Sequence, residues 1–454
     1  MEAASVAFVN IDELMEGVGR RLSELTGAEW GMVTSGAAAA LCHAAAACVA
    51  GADPEVMLRL PNTKGLKNRV VMLKDGRFTY DHAIRMPGVE IVEMEAQEAL
   101  VGALDEGVAM VAMLGTREAQ AKGRLEAVAE AARPRGIPIM VDAASEHLRR
   151  PNPYLSRGAT MVAYSGGKYL RGPQPTGLLL GEKTWVQAAW INSAPHHAFG
   201  RTMKLGKEEI MGVLAAVEYW AAERNHGAEA RQWEADLRVI AEEVTQVATV
   251  CADLQESRRP TAPVPRMEIR WDCEEMGLTG LALREQLMAG EPRIMLDDRG
   301  ATDCSVFILP FSLHPGEAEV VGSRIREALA AAPGREPQAL RPPVRVSGEW
   351  KLEIQFVRGT SAHGLMFEQE GHELTGYQRT RFHENPLSGR VEGNAIVFSS
   401  LHRFEGTHLS YRFTGAVDGD AMEGTVELGS SGQSAPGPVN QREYGEGRWK
   451  ARRR

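Results

Sequence analysis

Short apolar runs alternate with amphipathic segments from the start of the chain to about residue 190. Residues 11–27 carry apolar side chains at helical spacing, and the runs 137–141 and 159–164 have the length of buried strands. Strands that alternate with helices are typical of βαβ units in a parallel sheet. With a long helical stretch from residue 207 to about 250, the pattern predicts an α/β domain over residues 1–250.

The rest of the chain divides into three further segments. Residues 251–332 again alternate between strand and helix patterns, which predicts a small α/β lobe. The stretch 333–344 is rich in proline, which can neither continue a helix nor join a sheet interior, and it predicts a linker. Residues 345–454 show an apolar period of two with turns between the runs. This predicts about six to eight antiparallel strands that close a small barrel or sandwich.

One lysine stands on a glycine-rich turn directly after an apolar run. Lys168 follows Ser165-Gly166-Gly167 and the predicted strand 159–164. Open α/β sheets place their chemistry beyond the carboxyl ends of such strands. A partly desolvated, neutral amine there can form a Schiff base with an aldehyde. The alternative is a solvated surface lysine in a glycine turn, which is the commoner case for a lysine taken by itself.

An acid ends the preceding apolar run. Asp142 closes the run 137–141, and about 26 residues separate it from Lys168, enough for one crossover helix between adjacent parallel strands. A carboxylate and a lysine that converge in this way suit pyridoxal 5′-phosphate, because the acid keeps the pyridine nitrogen protonated while the amine holds the aldehyde carbon. A helix N-cap at Asp142 is the alternative interpretation.

Small residues open an alanine-rich helical segment near residue 36. Ser35 and Gly36 precede it, and the unpaired N–H groups and positive dipole end of a helix favour a phosphate at that position. Ser165 can add a hydroxyl to the same phosphate. A simple N-cap at Thr34 or Ser35 is the plainer interpretation.

Together these motifs resemble the selenocysteine synthase branch of the fold-type I pyridoxal-phosphate enzymes. Within that branch, residues 80–85 and 200–209 look closer to members similar to D-glucosaminate-6-phosphate ammonia-lyase. The resemblance spans roughly residues 1–330, but residues 74–78 and Gly167 depart from selenocysteine synthases, which argues against transfer-RNA chemistry. The motifs that carry it are Thr-Ser-Gly-Ala-Ala-Ala at 34–39, Val-Asp-Ala-Ala at 141–144, Ser-Gly-Gly-Lys at 165–168 and Gly-Pro-Gln at 172–174.

The resemblance implies a fold-type I architecture, pyridoxal 5′-phosphate as the cofactor, and a homodimer or higher homo-oligomer. It implies a lyase that removes the α-proton of an amino acid or amino sugar acid and eliminates a β-leaving group, giving a keto acid and ammonia. An aldolase or a racemase stays open, as does a ligand-binding protein that works through the C-terminal β domain. The residues that the resemblance implies for the cofactor are Lys168 as the Schiff-base lysine, Asp142 opposite the pyridine nitrogen, and Ser35, Gly36, Ala37 and Ser165 around the phosphate.

Further polar residues are candidates for contact with the substrate. Arg85 and Arg201 offer the forked guanidinium that grips a phosphate or carboxylate, and Lys204 adds a point charge. Gln174, from the Gly-Pro-Gln motif, is a further candidate, and His82 is a candidate to stack on the cofactor ring or to shuttle a proton. For residues 196–201 a surface loop with a helix cap is an equally good interpretation.

The composition of the chain argues against several classes of binding partner. Lys and Arg total 51 against 60 Asp and Glu, a net charge of −9, which disfavours nucleic-acid binding despite the basic tail 448–454. Five cysteines without metal-binding spacing predict reduced thiols in a cytoplasmic protein. No segment is apolar for long enough to suggest a membrane span or a secretion signal. Five of the twelve histidines lie beyond residue 345, and their irregular spacing predicts exposed side chains rather than metal ligands.

Overall fold

The computed structural model describes residues 1–119, 121, 123–257, 261–297, 301–334, 341–432 and 443–454. They form two compact units, Met1–Gln232 with Glu256–Pro265, and Trp233–Gln255 with Arg266–Arg454. Half of the proline-rich segment 333–344, residues 335–340, lies outside the described residues, and the domain boundaries at 250, 332 and 344 stay a prediction. None of the described helices combines the length and the apolar content needed to cross a bilayer.

The regular elements follow the predicted pattern closely. The helix predicted at 11–27 is observed as Ile11–Thr26, with the Asn10 side chain accepting from two backbone N–H groups at its start. The stretch from residue 207 to about 250 is two helices. The helices are α1 (Glu2–Ser5), α2 (Ile11–Thr26), α3 (Ala37–Ala50), α4 (Pro54–Arg59), α5 (Asp81–Arg85), α6 (Gln97–Gly102), α7 (Gly115–Glu118), α8 (Arg124–Ala132), α9 (Lys183–Ile191), α10 (Lys207–Ala222), α11 (His226–Val244), α12 (Cys273–Met276), α13 (Gly280–Ala289) and α14 (Glu317–Ala330).

The strands fall into three sheets. Their bounds are β1 (Trp30–Thr34), β2 (Arg69–Leu73), β3 (Glu90–Met94), β4 (Val108–Leu114), β5 (Ile139–Asp142), β6 (Met161–Ser165), β7 (Gly177–Gly181), β8 (Cys251–Gln255), β9 (Arg266–Arg270), β10 (Ser305–Ile308), β11 (Gly348–Gln355), β12 (Thr360–Glu370), β13 (Glu373–Arg379), β14 (Glu384–Glu392), β15 (Ala395–Phe404), β16 (Thr407–Asp418), β17 (Ala421–Gly432) and β18 (Glu446–Arg453).

The main sheet has seven strands in the order β1-β7-β6-β5-β4-β2-β3. Strands β2 to β6 run parallel to one another, while β7 runs antiparallel to both of its neighbours, so the sheet is mixed rather than wholly parallel. Every residue of β5 and β7 is buried, as expected for strands covered on both faces. The large α/β domain with a parallel core is therefore confirmed, with one reversed strand.

A small lobe of three antiparallel strands, β10-β9-β8, with helices α12 to α14 follows the main sheet in the second unit. A disulfide joins Cys273 and Cys304, whose Cα atoms lie 5.0 Å apart. The prediction of reduced thiols was wrong for this pair, because chain folding brings together two cysteines that are 31 residues apart in the sequence. Cys42, Cys48 and Cys251 are free thiols.

The C-terminal strands β11 to β18 form a closed barrel in which each strand pairs with the next and β18 pairs with β11. Alternate residues of β11 are buried, so Trp350, Leu352 and Ile354 fill the interior while their neighbours face outward. Closure leaves no unpaired strand edge. Of the two predicted forms, a barrel or a sandwich, the barrel is the one observed.

None of the five barrel histidines is exposed as predicted: His372, His383 and His408 are half-buried, and the other two are buried. His363 and His402 are 6% and 0% exposed, because both occupy inward-facing positions of the strand alternation. Gln378 donates to Nδ1 of His363 at 2.7 Å, Asn385 donates to Nδ1 of His402 at 3.0 Å, and the Ser400 hydroxyl contacts both Gln378 and His402. Burial lowers the pKa of each imidazole to about 4. No group of metal-binding side chains is present among the described residues.

Candidate active site

The carboxyl ends of β1, β5 and β6 lie on one edge of the main sheet. Strand β7 runs antiparallel to β1 on one side and to β6 on the other, so β1 runs in the same direction as β6 and its parallel neighbour β5. At the end of β7, Gly177 pairs with Thr34 of β1 and with Ser165 of β6. The pairing therefore brings the two predicted phosphate-binding segments, one after Thr34 and the other at Ser165, to either side of one residue.

The opening of α3 lies directly against Gly177. A Cβ atom at position 177 would lie 2.4 Å from the carbonyl carbon of Gly36 and 2.5 Å from the backbone nitrogen of Ala37. Only a glycine allows this approach, which holds the start of α3 over the end of β7. Gly36 itself has a φ of 87°, and Thr34 donates from its hydroxyl to the Gly36 carbonyl at 2.8 Å. The fourteen-residue helix α3 thus presents its amino end at the sheet edge.

Asp142 is the last residue of β5 and is 7% exposed. Its Oδ1 accepts a hydrogen bond from the backbone N–H of Ala144 at 2.8 Å, as in the N-cap interpretation of the sequence. Burial raises the pKa of Asp142, while the Ala144 hydrogen bond and the positive charge of Lys168 oppose the rise. The Lys168 turn follows β6, the parallel neighbour of the strand that ends at Asp142.

Lys168 lies on a tight turn beyond β6. The turn is closed by hydrogen bonds from Gly166 N–H to the Thr176 carbonyl and from Gly172 N–H to the Gly166 carbonyl, both of 2.8 Å. The Lys168 side chain is exposed, so the described residues of this chain do not provide the desolvation that the sequence predicts for it. Gln174 is also exposed and packs its backbone against Gly167 on the returning arm of the turn.

The predicted substrate residues fall into two places. His82 and Arg85 belong to α5, which follows β2; His82 is exposed, and Arg85 Nε lies 3.6 Å from Oδ1 of Asp81. Asp81 is buried and also accepts from Nε of Arg77 at 2.6 Å. Arg85 is therefore partly engaged with a buried carboxylate and is not a purely solvent-facing cation.

Arg201 and Lys204 lie apart from α5, on the segment between α9 and α10. Both are exposed and line a cavity of about 360 Å³, together with Thr34 at the end of β1 and His43 of α3. The Ser35 hydroxyl donates to the carbonyl of Met203 at 3.1 Å, which ties this segment to the opening of α3. Among the described residues that line the cavity there is neither Lys168, Asp142, His82, Arg85 nor Gln174.

Comparison with known proteins decides the family. The chain is 30% identical over 335 residues to D-glucosaminate-6-phosphate ammonia lyase of Salmonella typhimurium (strain 14028s / SGSC 2262), covering 71% of this chain and 88% of that enzyme. A solved structure of D-glucosaminate-6-phosphate ammonia-lyase superposes with a TM-score of 0.62 at 28% identity, covering 73% of this chain and 89% of that one. The chain belongs to the fold-type I pyridoxal-phosphate enzymes, in the branch that includes selenocysteine synthase.

Two further relatives are named for other activities, and one of them matches only a short segment of the chain. A 5'-C-glycyluridine monooxygenase-decarboxylase of Streptomyces sp is 30% identical over 340 residues, covering 71% of this chain and 82% of the relative. An L-seryl-tRNA(Sec) selenium transferase of Proteus mirabilis (strain HI4320) matches over 70 residues at 33% identity, 15% of this chain and 14% of the relative. No family model matches the chain. These two relatives are therefore named for reactions different from that of the ammonia lyase.

The edge of the sheet fits the cofactor that the fold-type I family implies. The amino end of α3 lies against Gly177, and a helix amino end suits an anion. Ser35 follows Thr34, and Gly177 pairs with both Thr34 and Ser165. The Gly36 N–H donates to the Thr34 carbonyl at 2.9 Å, so the later amides of α3 are the ones open to an anion. A buried acid at the end of β5 suits a protonated ring nitrogen, and the amine on the neighbouring turn suits an aldehyde. The donor set on this edge therefore matches a phosphorylated pyridine aldehyde.

The sequence missed a buried layer beneath this fold-type I site. Glu146 is 4% exposed, and the Tyr154 hydroxyl lies 2.5 Å from its Oε2 and 3.0 Å from the carbonyl of Gly115. A Cβ at position 115 would lie 2.6 Å from Glu146 and 2.8 Å from the Asp142 carbonyl, so this layer packs directly against the end of β5. The acid four residues after Asp142 was the available signal, but its burial depends on contacts distant in the sequence.

Proposed function

We propose that this protein is a pyridoxal-phosphate-dependent ammonia lyase that acts on an amino acid or an amino sugar acid. The observation that carries the proposal is the convergence of Asp142, the Lys168 turn and the amino end of α3 on one sheet edge. The 30% identity to an ammonia lyase over 88% of that enzyme supports the reaction class. The substrate itself is left to experiment.

In this proposal the cofactor, when bound, supplies an electron sink for the charge that forms when the α-proton leaves. The Lys168 amine would hold the cofactor until the substrate amine displaces it, and the freed amine would then take the α-proton as general base. Asp142 would keep the ring nitrogen protonated, and Ser35, Ser165 and the amides at Gly36 and Ala37 would hold the phosphate once the Gly36 N–H leaves the Thr34 carbonyl. A β-leaving group would then depart, for example a hydroxyl that leaves as water with the proton held by Lys168. Lys168 would take the cofactor back, and the released enamine would hydrolyse to a keto acid and ammonia.

The remaining polar residues are assigned to the substrate. Arg201 and Lys204 are exposed cations suited to an anionic group of the substrate, and Gln174 lies on the arm of the turn that carries Lys168. Arg85 is half-buried, and its Nε lies 3.6 Å from the Asp81 carboxylate. We therefore assign it a weaker contact with the substrate than that of Arg201. His82 is exposed and is assigned to ring stacking or proton transfer.

An aldolase or racemase would use the same lysine and the same acid. The relative named as a monooxygenase-decarboxylase is also 30% identical to this chain, the same identity as the ammonia lyase. The test is a screen of amino acids against holoenzyme, with ammonia, keto acid, aldehyde and substrate stereochemistry all measured. Ammonia together with a keto acid from a β-hydroxy or sugar amino acid is the expected result. Aldehyde, or inverted substrate without ammonia, would reject elimination.

The cofactor assignment has its own control. Wild-type protein purified in the presence of pyridoxal 5′-phosphate is expected to be yellow. Borohydride reduction fixes the cofactor to its lysine as a covalent label, and peptide mass spectrometry should place that label on Lys168. Lys168→Ala should stay folded and lose the covalent label, whereas Lys183→Ala, at the start of α9, should keep it. A label on any other residue would refute the assignment.

A binding protein that works through the barrel is the second candidate, because the barrel interior holds the hydrogen-bonded network of His363, Gln378, Ser400 and His402. This candidate gains if the holoenzyme is yellow but no amino acid changes its spectrum. We further propose a homodimer or higher homo-oligomer in the cytoplasm; light scattering on purified holoenzyme tests the assembly, and fractionation of the source cells tests the location.

A further inference from the structure

A buried histidine lines the cavity of about 360 Å³ beside the opening of α3. His43 is 1% exposed, and neither of its ring nitrogens makes a hydrogen bond of normal geometry to any residue that the structure describes. The backbone of Gly200 closes off the Nε2 side, where a Cβ would lie 2.6 Å from that nitrogen. Buried polar groups in native proteins nearly always have partners, so this ring calls for one that the described chain does not provide.

Burial keeps the His43 ring neutral. The pKa of His43 is lowered to about 4 by burial, against a small opposing effect of the Gly200 backbone. A ring nitrogen of a neutral imidazole is either an N–H donor or an acceptor, and a hydroxyl group can pair with it in both cases because it donates as well as accepts. The part of the cavity wall formed by His43 is therefore suited to an alcohol rather than to a charged group.

The charged lining of the cavity is basic. Arg201 and Lys204 are exposed side chains of the lining, while Lys207 and Glu208 pair with each other and largely cancel. At neutral pH the lining thus has two cations without an acid of its own to balance them. A ligand that reaches these cations is expected to be an anion.

The cavity is also connected to the cofactor-side edge of the sheet. Thr34 forms part of its wall, and the Met203 carbonyl, on another wall residue, accepts the hydrogen bond from Ser35. Its volume is at the lower end of the range of about 300 to 1,000 Å³ typical of small-molecule sites. These features suit a compact ligand that binds next to the predicted phosphate-binding residue Ser35.

We propose that this cavity binds a small hydroxylated anion, a hydroxycarboxylate or a phosphate ester, with a hydroxyl on His43 and the anionic group at Arg201 and Lys204. The ligand can be the distal end of the enzyme's own substrate or a separate metabolite. The proposal does not depend on the reaction catalysed, because it rests on a binding site that contains neither Lys168 nor Asp142.

The test is calorimetric titration of holoenzyme with D-glycerate and with glycerol 3-phosphate, and with inorganic phosphate as a probe that lacks the carbon-bound hydroxyl. We expect at least one hydroxylated probe to bind, and His43→Leu and Arg201→Met each to weaken it by about tenfold or more, the usual loss for a deleted buried hydrogen bond or charge-assisted pair. His43→Gln should recover most of the affinity, since an amide keeps a donor and an acceptor. His314→Leu, an exposed histidine of the small lobe, is the matched control and should bind as wild type.

Thermal unfolding of each variant checks that the fold persists, and Arg201→Met tests the proposal even if the buried His43 variants do not fold. If no hydroxylated probe binds, or if binding survives both His43→Leu and Arg201→Met, the proposal fails. The proposal would also be overturned if inorganic phosphate bound as tightly as the hydroxylated probes and its affinity were unchanged in His43→Leu. Because heat is measured without turnover, these outcomes are independent of whether the lyase proposal holds. Once a substrate is known, competition with the probe assigns the cavity to the substrate and simultaneous binding assigns it to an effector.

Discussion

Arg224 donates a hydrogen bond of 2.5 Å from Nη1 to the backbone carbonyl of Tyr169, the residue after Lys168. The guanidinium is 4% exposed, lies 4.6 Å from the ring centroid of Trp220 and donates from Nε to Glu229 at 2.7 Å. A buried, multiply bonded cation thus holds the backbone on the far side of the lysine turn. Neither residue was a candidate in the sequence.

We expect Arg224→Met to loosen the Lys168 turn. The substitution leaves the Tyr169 carbonyl without its donor, which should cost about 1–3 kcal/mol of unfolding free energy and lower cofactor affinity by about tenfold. Cofactor titration by absorbance, with denaturant unfolding in parallel, measures both. Arg238→Met, which breaks an exposed ion pair with Glu234, is the control and should change neither. Unchanged cofactor affinity in Arg224→Met would show that the turn is held by other contacts.

Asp142→Asn should separate stability from activity. Burial raises the pKa of Asp142 in the folded protein, so the charged form destabilises the cofactor-free fold as pH rises through that pKa. A neutral amide keeps an acceptor for the Ala144 N–H, and the cofactor-free variant should therefore melt higher than wild type at pH 7. Turnover should fall by about a hundredfold or more, since the ring nitrogen loses its counter-charge. A variant that keeps full turnover would contradict the role proposed for Asp142.

Gly177→Ala should impair phosphate binding, although residue 177 is not itself a predicted cofactor ligand. The new Cβ would lie 2.4 Å from backbone atoms of Gly36 and force the start of α3 away from the sheet edge. We expect cofactor affinity to drop by about tenfold or more. Gly102→Ala, a helix position with open space around the added Cβ, is the matched control. Equal affinity in both variants would argue against the amino end of α3 as the phosphate site.

The barrel should lose stability between about pH 6.5 and pH 4. His363 and His402 have a pKa of about 4 in the folded protein against 6.5 for an ordinary imidazole, so the unfolded chain takes up protons first as the pH falls through this window. The loss amounts to at most roughly 3 kcal/mol for each histidine and is complete below pH 4. Denaturant unfolding of wild type and of His363→Gln/His402→Gln at pH 7 and pH 4.5 measures it. An identical pH dependence in the two proteins would refute this origin.

The Cys273–Cys304 disulfide should stabilise the small lobe when it is oxidised. It closes a loop of 31 residues, for which chain entropy gives about 3–4 kcal/mol. Thiol titration of the denatured, unreduced protein should find the three free cysteines rather than all five. Unfolding with and without reductant then measures the stabilisation, with Cys251→Ser as the control. Titration of five thiols would show that Cys273 and Cys304 are reduced, as the sequence predicts for a cytoplasmic protein.

Local pattern was sufficient for most of the fold. The helix from residue 11, the strand that ends at Asp142, the strand before Lys168 and the period of two beyond residue 345 all depend on side chains that alternate along the chain, and the structure has each of them. The family resemblance rested on the same short motifs and is confirmed by the comparison with D-glucosaminate-6-phosphate ammonia lyase. The roles of the individual site residues stay predictions.

The sequence by itself determined the order of elements, the family and the expected cofactor, because apolar periodicity and short motifs depend on residues close together in the chain. Only the tertiary structure decided that β7 is reversed, that Cys273 meets Cys304, and that His43, His363 and His402 are buried. Burial and pairing depend on which distant segments fold against a residue. Neither a histidine nor a cysteine carries a local signal of that environment.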